Sequence, residues 1–230
     1  MEPVKRLARP AVTVIVPAYD EQETISSVVA VLVDHPLVDE VIVVSDGSSD
    51  GTAEYARKAG ARVVELPENM GKGAAMQTGL SVSSADIVLF LDADLIGLRP
   101  EHVDRMLMPL IEGEVQMTVG VFEGGRGATD FAQQIAPFLS GQRALRRNVL
   151  NDIDDMSESG YGVEMALTRY MRRHHANVAE VVLQDLTHRT KEEKRGLVKG
   201  FAARMKMYWE IAKLLPDLPR DSKETKDKVR

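Results

Sequence analysis

The chain has 230 residues, a hydrophobic content of 44% and a net charge of -6 at pH 7. These values predict a soluble globular protein with a sizeable core, in one large domain or one domain with a small appendage. The acidic balance argues against general nucleic-acid binding, and the absence of cysteine excludes disulfides, thiolate metal sites and a cysteine nucleophile. No apolar run approaches the roughly 20 residues of a spanning helix, and the N-terminus has no apolar signal region. We therefore expect a cytoplasmic protein.

Predicted strands alternate with predicted helices through the first half of the chain. Apolar residues of the first helix recur at the spacing of one helix face, at Ile25, Val28, Val29, Leu32 and Val33. The alternation predicts an α/β fold with a doubly wound, mostly parallel sheet and helices on both faces. The predicted strands cover 11–16, 41–44, 62–66 and 87–91, and the predicted helices cover 25–33, a segment that Asp50 caps and a segment from about Ala74.

The pattern becomes less regular after residue 110. We predict a strand at 117–121, a glycine-rich loop at 123–129, a helix at 131–150 interrupted at Pro137 and Gly141, a helix at 163–173, a strand at 178–183 and a long helix at 197–215. The polar lead-in and the charged tail are both predicted to be flexible.

Two aspartates follow the fourth predicted strand. The apolar run from Val88 to Leu91 predicts a parallel strand that is buried on both faces and ends at Asp92-Ala93-Asp94. Ligands collect where parallel strands end, and carboxylates can bind a divalent cation that in turn holds phosphates. Taken alone, this stretch is explained equally well by aspartates that cap the following turn.

Other motifs narrow the kind of ligand. A dinucleotide fold needs Gly-x-Gly-x-x-Gly after the first strand, where this chain has 17–21 (PAYDE) instead. Gly71-Lys72-Gly73 lacks the spacing of a phosphate-binding P-loop. Glu21 and Asp46 follow the first two strands, where carboxylates can accept hydrogen bonds from a base or a ribose. The sequence therefore predicts a nucleotide whose diphosphate is held through a metal.

Four motifs in this order resemble the sugar-nucleotide half of family 2 glycosyltransferases with the GT-A fold. They are 17–21 (PAYDE), 45–52 (SDGSSDGT), 71–73 (GKG) and 92–94 (DAD). The resemblance implies that Lys72 lies near the base or the diphosphate and takes part in catalysis, and that Asp94 is a catalytic metal ligand. It implies nucleotide-sugar binding by Pro17, Ala18, Tyr19, Glu21, Asp46, Gly71, Lys72, Asp92 and Ala93.

Within this family, the second half is most similar to the retaining glucosyl-3-phosphoglycerate synthases. The similar motifs are 124–129 (GGRGAT), 160–164 (GYGVE) and His188-Arg189. The resemblance implies that Asp94 and His188 share Mg²⁺ or Mn²⁺ and that Glu164 acts in catalysis. The chain departs from that pattern with a shorter segment between 150 and 160, an extra residue before Thr129, and Leu186 where an arginine is expected. The implied acceptor-binding residues are Gly125, Arg126, Thr129, Tyr161 and Glu164.

The resemblance also implies a domain plan. The plan comprises a flexible lead-in at 1–10, a single GT-A domain at 11–215 and a charged disordered tail at 216–230. Within the domain, 11–110 is the nucleotide-sugar half, 111–190 the acceptor half and 191–215 a C-terminal helix. This helix is basic and amphipathic, and we favour packing on its own domain or a homodimer over peripheral contact with the inner membrane face.

The implied activity is metal-dependent transfer of a hexose, glucose from UDP-glucose, with retention, to a small anionic acceptor such as 3-phosphoglycerate. Two alternative functions stay open: an inverting transferase that acts on polyprenyl phosphate at the membrane surface, and a non-catalytic protein that binds sugar nucleotides.

Without the family resemblance, the sequence around His188 favours a solvated loop histidine over a metal ligand. Arg143, Arg146 and Arg147 form either a solvated helix face or a cluster that meets a phosphate-bearing acceptor.

Overall fold

A seven-stranded sheet organises the part of the chain that the computed structural model describes, residues 9–122, 140–151, 167 and 176–188. A separate two-stranded ladder flanks it. The strands are β1 (Val12–Ala18), β2 (Glu40–Asp46), β3 (Arg62–Leu66), β4 (Ile87–Phe90), β5 (Leu95–Ile96), β6 (Met117–Phe122), β7 (Arg143–Arg146), β8 (Val178–Leu183) and β9 (Thr187–His188). The helices are α1 (Ile25–Val33), α2 (Thr52–Lys58), α3 (Lys72–Val82), α4 (Pro100–Ile111) and α5 (Arg147–Asn151).

The large sheet has the strand order β3-β2-β1-β4-β7-β6-β8. Strands β1 to β4 are parallel to their neighbours within that group, and β6 is parallel to β8. Strand β7 is antiparallel to both β4 and β6, so it alone runs against the other six strands of this sheet. The expected mostly parallel α/β sheet is confirmed, and β5 pairs with β9 in the smaller ladder.

Apolar side chains cover both faces of the central strands. Successive residues of β1 enter different core clusters, with Val14 and Val16 on one face and Ile15 on the other, all with 0% exposure. Burial of one such side chain contributes about 1.5–3 kcal/mol, which is why an uninterrupted apolar run folds as a central strand. Helix α3 packs closely on β1, because a Cβ on Gly79 would lie 2.5 Å from a methyl carbon of Ile15. This packing places Lys72, the first residue of α3, at the carboxyl edge of the sheet.

Several sequence predictions are confirmed within the first half, with small shifts at the ends. The strand at 62–66 has the predicted bounds, and all five apolar residues of the predicted first helix lie within α1. Helix α3 begins two residues before the predicted start, because Gly71, at φ +92, takes the left-handed conformation that ends the preceding loop. The N-cap of α2 is Gly51 rather than Asp50, although the Asp50 carboxylate accepts the Thr52 N–H at 2.9 Å.

The predicted helix at 131–150 is wrong at residues 143–146, which form β7, and is confirmed at 147–150, which lie in α5. Residues 131–139 lie outside the described residues. Ala144 and Leu145 point to opposite faces of the sheet and are both fully buried, which needs the two-residue period of a strand. The strand was not predicted because only two apolar residues lie between its terminal arginines, which is too short a run to indicate a buried strand.

The three arginines of this region are not a solvated helix face. Arg143 is 1% exposed and donates from Nε to the Ser140 carbonyl at 2.9 Å. Arg146 donates to the Leu110 carbonyl at 2.6 Å, and Arg147 donates to the Ala85 carbonyl at 2.6 Å. Each of these side chains therefore hydrogen-bonds a backbone carbonyl, since a guanidinium group offers several donors.

Other predictions fall partly or wholly outside the described residues. The strand at 178–183 is confirmed, and the strand at 117–121 is confirmed with one additional residue. The described residues belong to one compact unit that ends at His188. Among the described helices, none is long and apolar enough to cross a membrane. Residues 1–8 of the predicted lead-in, the loop at 123–129, the helices at 163–173 (apart from Leu167) and 197–215, and the charged tail lie outside the described residues, so the domain plan, the homodimer and the membrane contact stay predictions.

Candidate active site

Carboxylates, a lysine and a histidine gather at the carboxyl edge of the parallel strands. Strands β1, β2 and β4 all end at this edge, and the β1–β4 pairing continues through a hydrogen bond from Leu91 N–H to the Ile15 carbonyl at 3.2 Å. Asp92 therefore leaves the sheet directly beside the end of β1. This is the position at which open parallel sheets bind their ligands.

Asp92, Asp94 and His188 form a group that could hold a metal ion. Each side chain offers one ligand atom, and the three atoms lie within 4.8 Å of one another. His188 Nδ1 lies 3.0 Å from Asp94 Oδ1, and His188 Nε2 lies 3.9 Å from Asp92 Oδ2. The expected proximity of Asp94 and His188 is therefore observed across 94 residues of sequence. Between the two aspartates, Ala93 is buried, so the side chains of its neighbours can face the cluster together.

The ladder between β5 and β9 brings His188 to this position. Leu95, the residue after Asp94, is the register partner of His188, so the histidine returns beside the second aspartate. Gly97, at φ +84, lies at the turn side of this ladder, and a Cβ there would be 2.5 Å from the Asp185 carbonyl oxygen. Only glycine combines this conformation with such a close approach.

The N-terminus of α4 holds the segment that leads to β9. The Arg99 N–H donates to His102 Nδ1 at 3.2 Å, and His102 Nε2 lies 2.9 Å from the Gln184 carbonyl. His102 is therefore neutral with its proton on Nε2, which donates to that carbonyl. Burial lowers the pKa of His102 below its ordinary value, because the hydrogen bond to Gln184 compensates only in part.

The protonation of His188 follows from its partners. An ionised carboxylate only accepts hydrogen bonds, so Nδ1 carries the proton donated to Asp94. Burial lowers the pKa of His188, but the hydrogen bond to Asp94 and the charges of Asp92 and Asp94 raise it more, leaving the pKa above its ordinary value. The ring also makes a perpendicular contact with Phe122 at a centroid distance of 4.7 Å. In the neutral form, the lone pair of His188 lies on Nε2.

Lys72 and Asp92 form an ion pair at the edge of the cluster. Lys72 Nζ lies 2.8 Å from Asp92 Oδ1, with the two side chains 31% and 20% exposed. Burial raises the pKa of Asp92, but the Lys72 ammonium and the hydrogen bonds from Lys72 and Gln142 outweigh it, so the pKa is lowered. Asp92 is therefore ionised at neutral pH, and Lys72 places a cation within reach of any phosphate at this edge.

Asp46 fixes the loop that precedes Lys72. Its two carboxylate oxygens accept the backbone N–H groups of Met70 at 2.7 Å and Gly71 at 2.9 Å. The loop also packs on Gly47, where a Cβ would lie 2.4 Å from the Asn69 nitrogen. Asp46 therefore stabilises this loop, a role that the sequence did not indicate. Its contact with a base or ribose stays a prediction.

Side-chain hydrogen bonds join the loops after β1 and β2. Asp20 accepts the Ser49 N–H at 2.8 Å, and the Glu21 N–H donates to Thr52 Oγ1 at 2.8 Å. The Glu21 carbonyl in turn accepts the N–H of Ile25 at the start of α1. Pro17 and Ala18 lie in the last part of β1, and Tyr19 is 43% exposed beside them. The predicted nucleotide-binding residues of the first loop thus occupy a rigid platform, with an exposed aromatic ring available to a ligand.

Sequence reasoning did not identify Gly141 and Gln142, which close one side of the cluster. Gln142 is fully buried, and its amide hydrogen-bonds Asp92 and lies 3.5 Å from His188 Nε2. A Cβ on Gly141 would lie 2.5 Å from Lys72 Nζ, so this backbone lies directly against the ion pair. Neither residue belongs to a motif that resembles a known site, and their roles arise only when β7 pairs with β4. The predicted acceptor residues Gly125, Arg126, Thr129, Tyr161 and Glu164 lie outside the described residues.

The donor set fits a small divalent cation. Two carboxylates and one imidazole are ligands that suit Mg²⁺ and Mn²⁺ when phosphate oxygens complete the coordination. The side chains of Asp94 and His188 remain 18% and 38% exposed, so the group is reachable from solvent. The expected divalent cofactor therefore agrees with the chemistry of these residues.

A mostly parallel sheet with this cluster at its carboxyl edge defines a glycosyltransferase of the GT-A fold. The chain belongs to glycosyl transferase family 2, whose model matches residues 13–160.

Individual relatives agree with this assignment. A glucosyl-3-phosphoglycerate synthase of Mycolicibacterium paratuberculosis is 36% identical over 194 residues, which cover 68% of this chain and 58% of the relative. The corresponding protein of Mycolicibacterium smegmatis is 31% identical over 218 residues, covering 78% of this chain and 71% of the relative. A crystal structure of the Mycobacterium tuberculosis synthase with Mn²⁺, UDP-glucose and phosphoglyceric acid has a TM-score of 0.72 and 32% identity. It covers 90% of this chain and 79% of that one. The chain thus spans less than two thirds of the M. paratuberculosis relative.

Proposed function

We propose that the chain transfers glucose from UDP-glucose to a small acceptor that carries phosphate and carboxylate groups, with 3-phosphoglycerate as the first candidate. The observation that carries this proposal is the cluster of Asp92, Asp94 and His188 beside Lys72 at the carboxyl edge of the sheet. The names of the similar synthases support the choice of donor and acceptor.

The proposal assigns each described residue of the cluster a part in holding the donor. Asp94 and His188 would hold the cation, and Lys72 would bind the diphosphate. Asp92 orients Lys72 through the ion pair of 2.8 Å and contributes its other oxygen to the cation or the ribose. The bound cation supplies neutralisation of the charge that develops on the leaving diphosphate.

The nucleotide would lie over the loops after β1 and β2. Tyr19 is exposed beside the buried end of β1, so its ring can stack on the base or contact the ribose. Glu21 follows β1, and Asp46 is the last residue of β2. Both carboxylates would accept hydrogen bonds from base or ribose donors, those of Asp46 in addition to its bonds to the Met70 and Gly71 N–H groups. The hydrogen bonds between the two loops already order them, which reduces the entropy that these loops would lose when the donor binds.

The transfer step breaks the bond between the anomeric carbon and the diphosphate and forms one to the acceptor oxygen. The proposal uses both carboxylates of the group, Asp92 and Asp94, for the cation and Lys72, which leaves neither as a separate base. We therefore propose a front-face path, in which the departing phosphate oxygen takes the acceptor proton and the configuration is retained. Glu164 would orient the acceptor, and the acceptor headgroup would be held by Gly125, Arg126, Thr129 and Tyr161.

A matrix of donors and acceptors tests the proposal. UDP-glucose and GDP-mannose are each assayed with 3-phosphoglycerate and with polyprenyl phosphate, and release of the nucleoside diphosphate is measured with Mg²⁺ or Mn²⁺. We expect transfer only from UDP-glucose to 3-phosphoglycerate, loss of transfer with EDTA and recovery with Mn²⁺. Asp94→Asn should abolish transfer, while Asp34→Asn, at an exposed position, serves as the matched control.

Three outcomes would contradict the proposal. Transfer to polyprenyl phosphate alone would favour the membrane-surface activity, and nucleotide binding without any turnover would favour a binding protein. A product with inverted anomeric configuration, determined by NMR, would contradict the front-face path while leaving the substrates unchanged.

A further inference from the structure

Gln142 connects two of the three residues that could hold the metal. Its Oε1 accepts the Asp92 backbone N–H at 3.3 Å, while its Nε2 donates to Asp92 Oδ2 at 3.1 Å. The same Nε2 lies 3.5 Å from His188 Nε2. A single buried amide thus meets the backbone and side chain of Asp92 and lies beside Nε2 of His188.

The backbone around Gln142 is itself fixed. The Gln142 carbonyl accepts the Gly120 N–H at 2.8 Å, and the Gln142 N–H donates to Ser140 Oγ at 3.2 Å. Ser140 Oγ in turn donates to the Gly120 carbonyl. The residue next in sequence, Arg143, enters β7 between β4 and β6. The amide therefore projects toward the cluster from a rigid part of the sheet.

The chemistry of an amide suits this position better than that of other side chains of similar size. The Asp92 N–H needs an acceptor, whereas the Asp92 carboxylate oxygen needs a donor. A glutamine offers one acceptor and two hydrogens in a single plane. Lys72 holds Oδ1 of Asp92 and Gln142 holds Oδ2, so together they fix the rotation of this carboxylate.

We propose that Gln142 is a positioning residue, which holds Asp92 and His188 in the arrangement that binds the divalent cation. This inference rests on the metal site of the proposed function. Gln142 acts through these two side chains. Partners that orient metal ligands typically change metal affinity by about 10–100-fold when they are removed, and we expect a change of this size.

Metal binding provides a test that does not depend on turnover. Mn²⁺ is titrated into the wild-type chain and into Gln142→Met, and free Mn²⁺ is measured by electron paramagnetic resonance, with and without UDP. Methionine fills a similar volume but makes no such hydrogen bonds. Gln77→Met, at an exposed position of α3, is the matched control. Gln142→Asn is the second variant, since it keeps a polar amide but is one methylene too short to reach both partners.

We expect Gln142→Met and Gln142→Asn to bind Mn²⁺ about 10–100-fold more weakly than the wild type and Gln77→Met. Activity should recover at high Mn²⁺ concentration, so that the half-saturating concentration rises while kcat changes little. A role in packing alone would instead lower the melting temperature and leave the affinity of the folded protein unchanged.

The outcomes separate the two proposals. If the wild type binds Mn²⁺ in a manner that Asp94→Asn abolishes, and both Gln142 variants bind equally well, the inference about Gln142 is overturned. If the wild type binds Mn²⁺ and the variants bind weakly but no donor is turned over, only the proposed function fails. If the wild type binds no Mn²⁺ at this site, both proposals fall.

Discussion

Replacement of Gly141 by alanine should separate Lys72 from Asp92. The added Cβ would lie 2.5 Å from Lys72 Nζ and 2.7 Å from each carboxylate oxygen of Asp92. The ammonium is the end of a flexible side chain and can move aside, which lengthens the hydrogen bond of 2.8 Å between the two groups. Gly141 does not have a positive φ, so alanine introduces no backbone strain.

The expected size follows from two opposing effects. Loss of a charge-assisted hydrogen bond destabilises by about 1.5–3 kcal/mol. A glycine-to-alanine change in a compatible conformation stabilises by about 0.4–1 kcal/mol through the unfolded state. We therefore expect a net loss of roughly 0.5–2.5 kcal/mol in the free energy of unfolding. Urea denaturation of the protein in EDTA measures this change without a contribution from bound metal.

A double-mutant cycle tests the cause. In a Lys72→Ala background the ammonium is absent, so the new Cβ has no ion pair to disrupt. The effect of Gly141→Ala should then differ from its effect in the wild type by at least about 0.5 kcal/mol, the lower limit for residues in contact. Additive changes within about 0.3 kcal/mol would refute the reasoning, because the two residues would then not interact.

Two further predictions concern residues that support the cluster. Since the pKa of His102 is lowered from its ordinary value of 6.5, the folded protein keeps this ring neutral where the unfolded chain binds a proton. Its contribution to stability is thus present above pH 6.5 and lost as the pH falls through the lowered pKa. Urea denaturation between pH 7.5 and 5.5 should therefore show a steeper loss for the wild type than for His102→Gln, and equal slopes would contradict this assignment. Asp46→Asn places an amide donor against the N–H of Met70 or Gly71, so unfolding should become easier by about 1–3 kcal/mol and the KM for the donor should rise. Asp34→Asn is its control, and a variant that is as stable as this control would contradict the assigned contacts.

The sequence predicts the first half of the fold well because the buried central strands there consist mainly of apolar residues. Strands β1 and β4 contain apolar runs, and the end of the run in β4 is enough to predict that Asp92 lies at the carboxyl edge. The proximity of His188 to Asp94 needed a resemblance to a known family, since 94 residues separate them and no local pattern connects them.

Two features could not be predicted from local sequence. Strand β7 has arginines at both ends, and carbonyls such as those of Ser140 and Leu110 accept hydrogen bonds from these buried charges. The role of Gln142 depends on contacts with Asp92, 50 residues away, which the antiparallel insertion of β7 creates. Local propensity carries no information about such contacts, because only the completed sheet determines them.

The contact between Asp94 and His188 closes a loop of 94 residues with a ladder only two residues long. All of β6, β7 and β8 lie within this loop. A cation bound by both ends would therefore act as a cross-link, restricting the unfolded chain much as a disulfide does. The opening of β9 and the release of the cation would then be one event. Hydrogen exchange at the amides of this short ladder should slow as Mn²⁺ is added, in step with occupancy of the site.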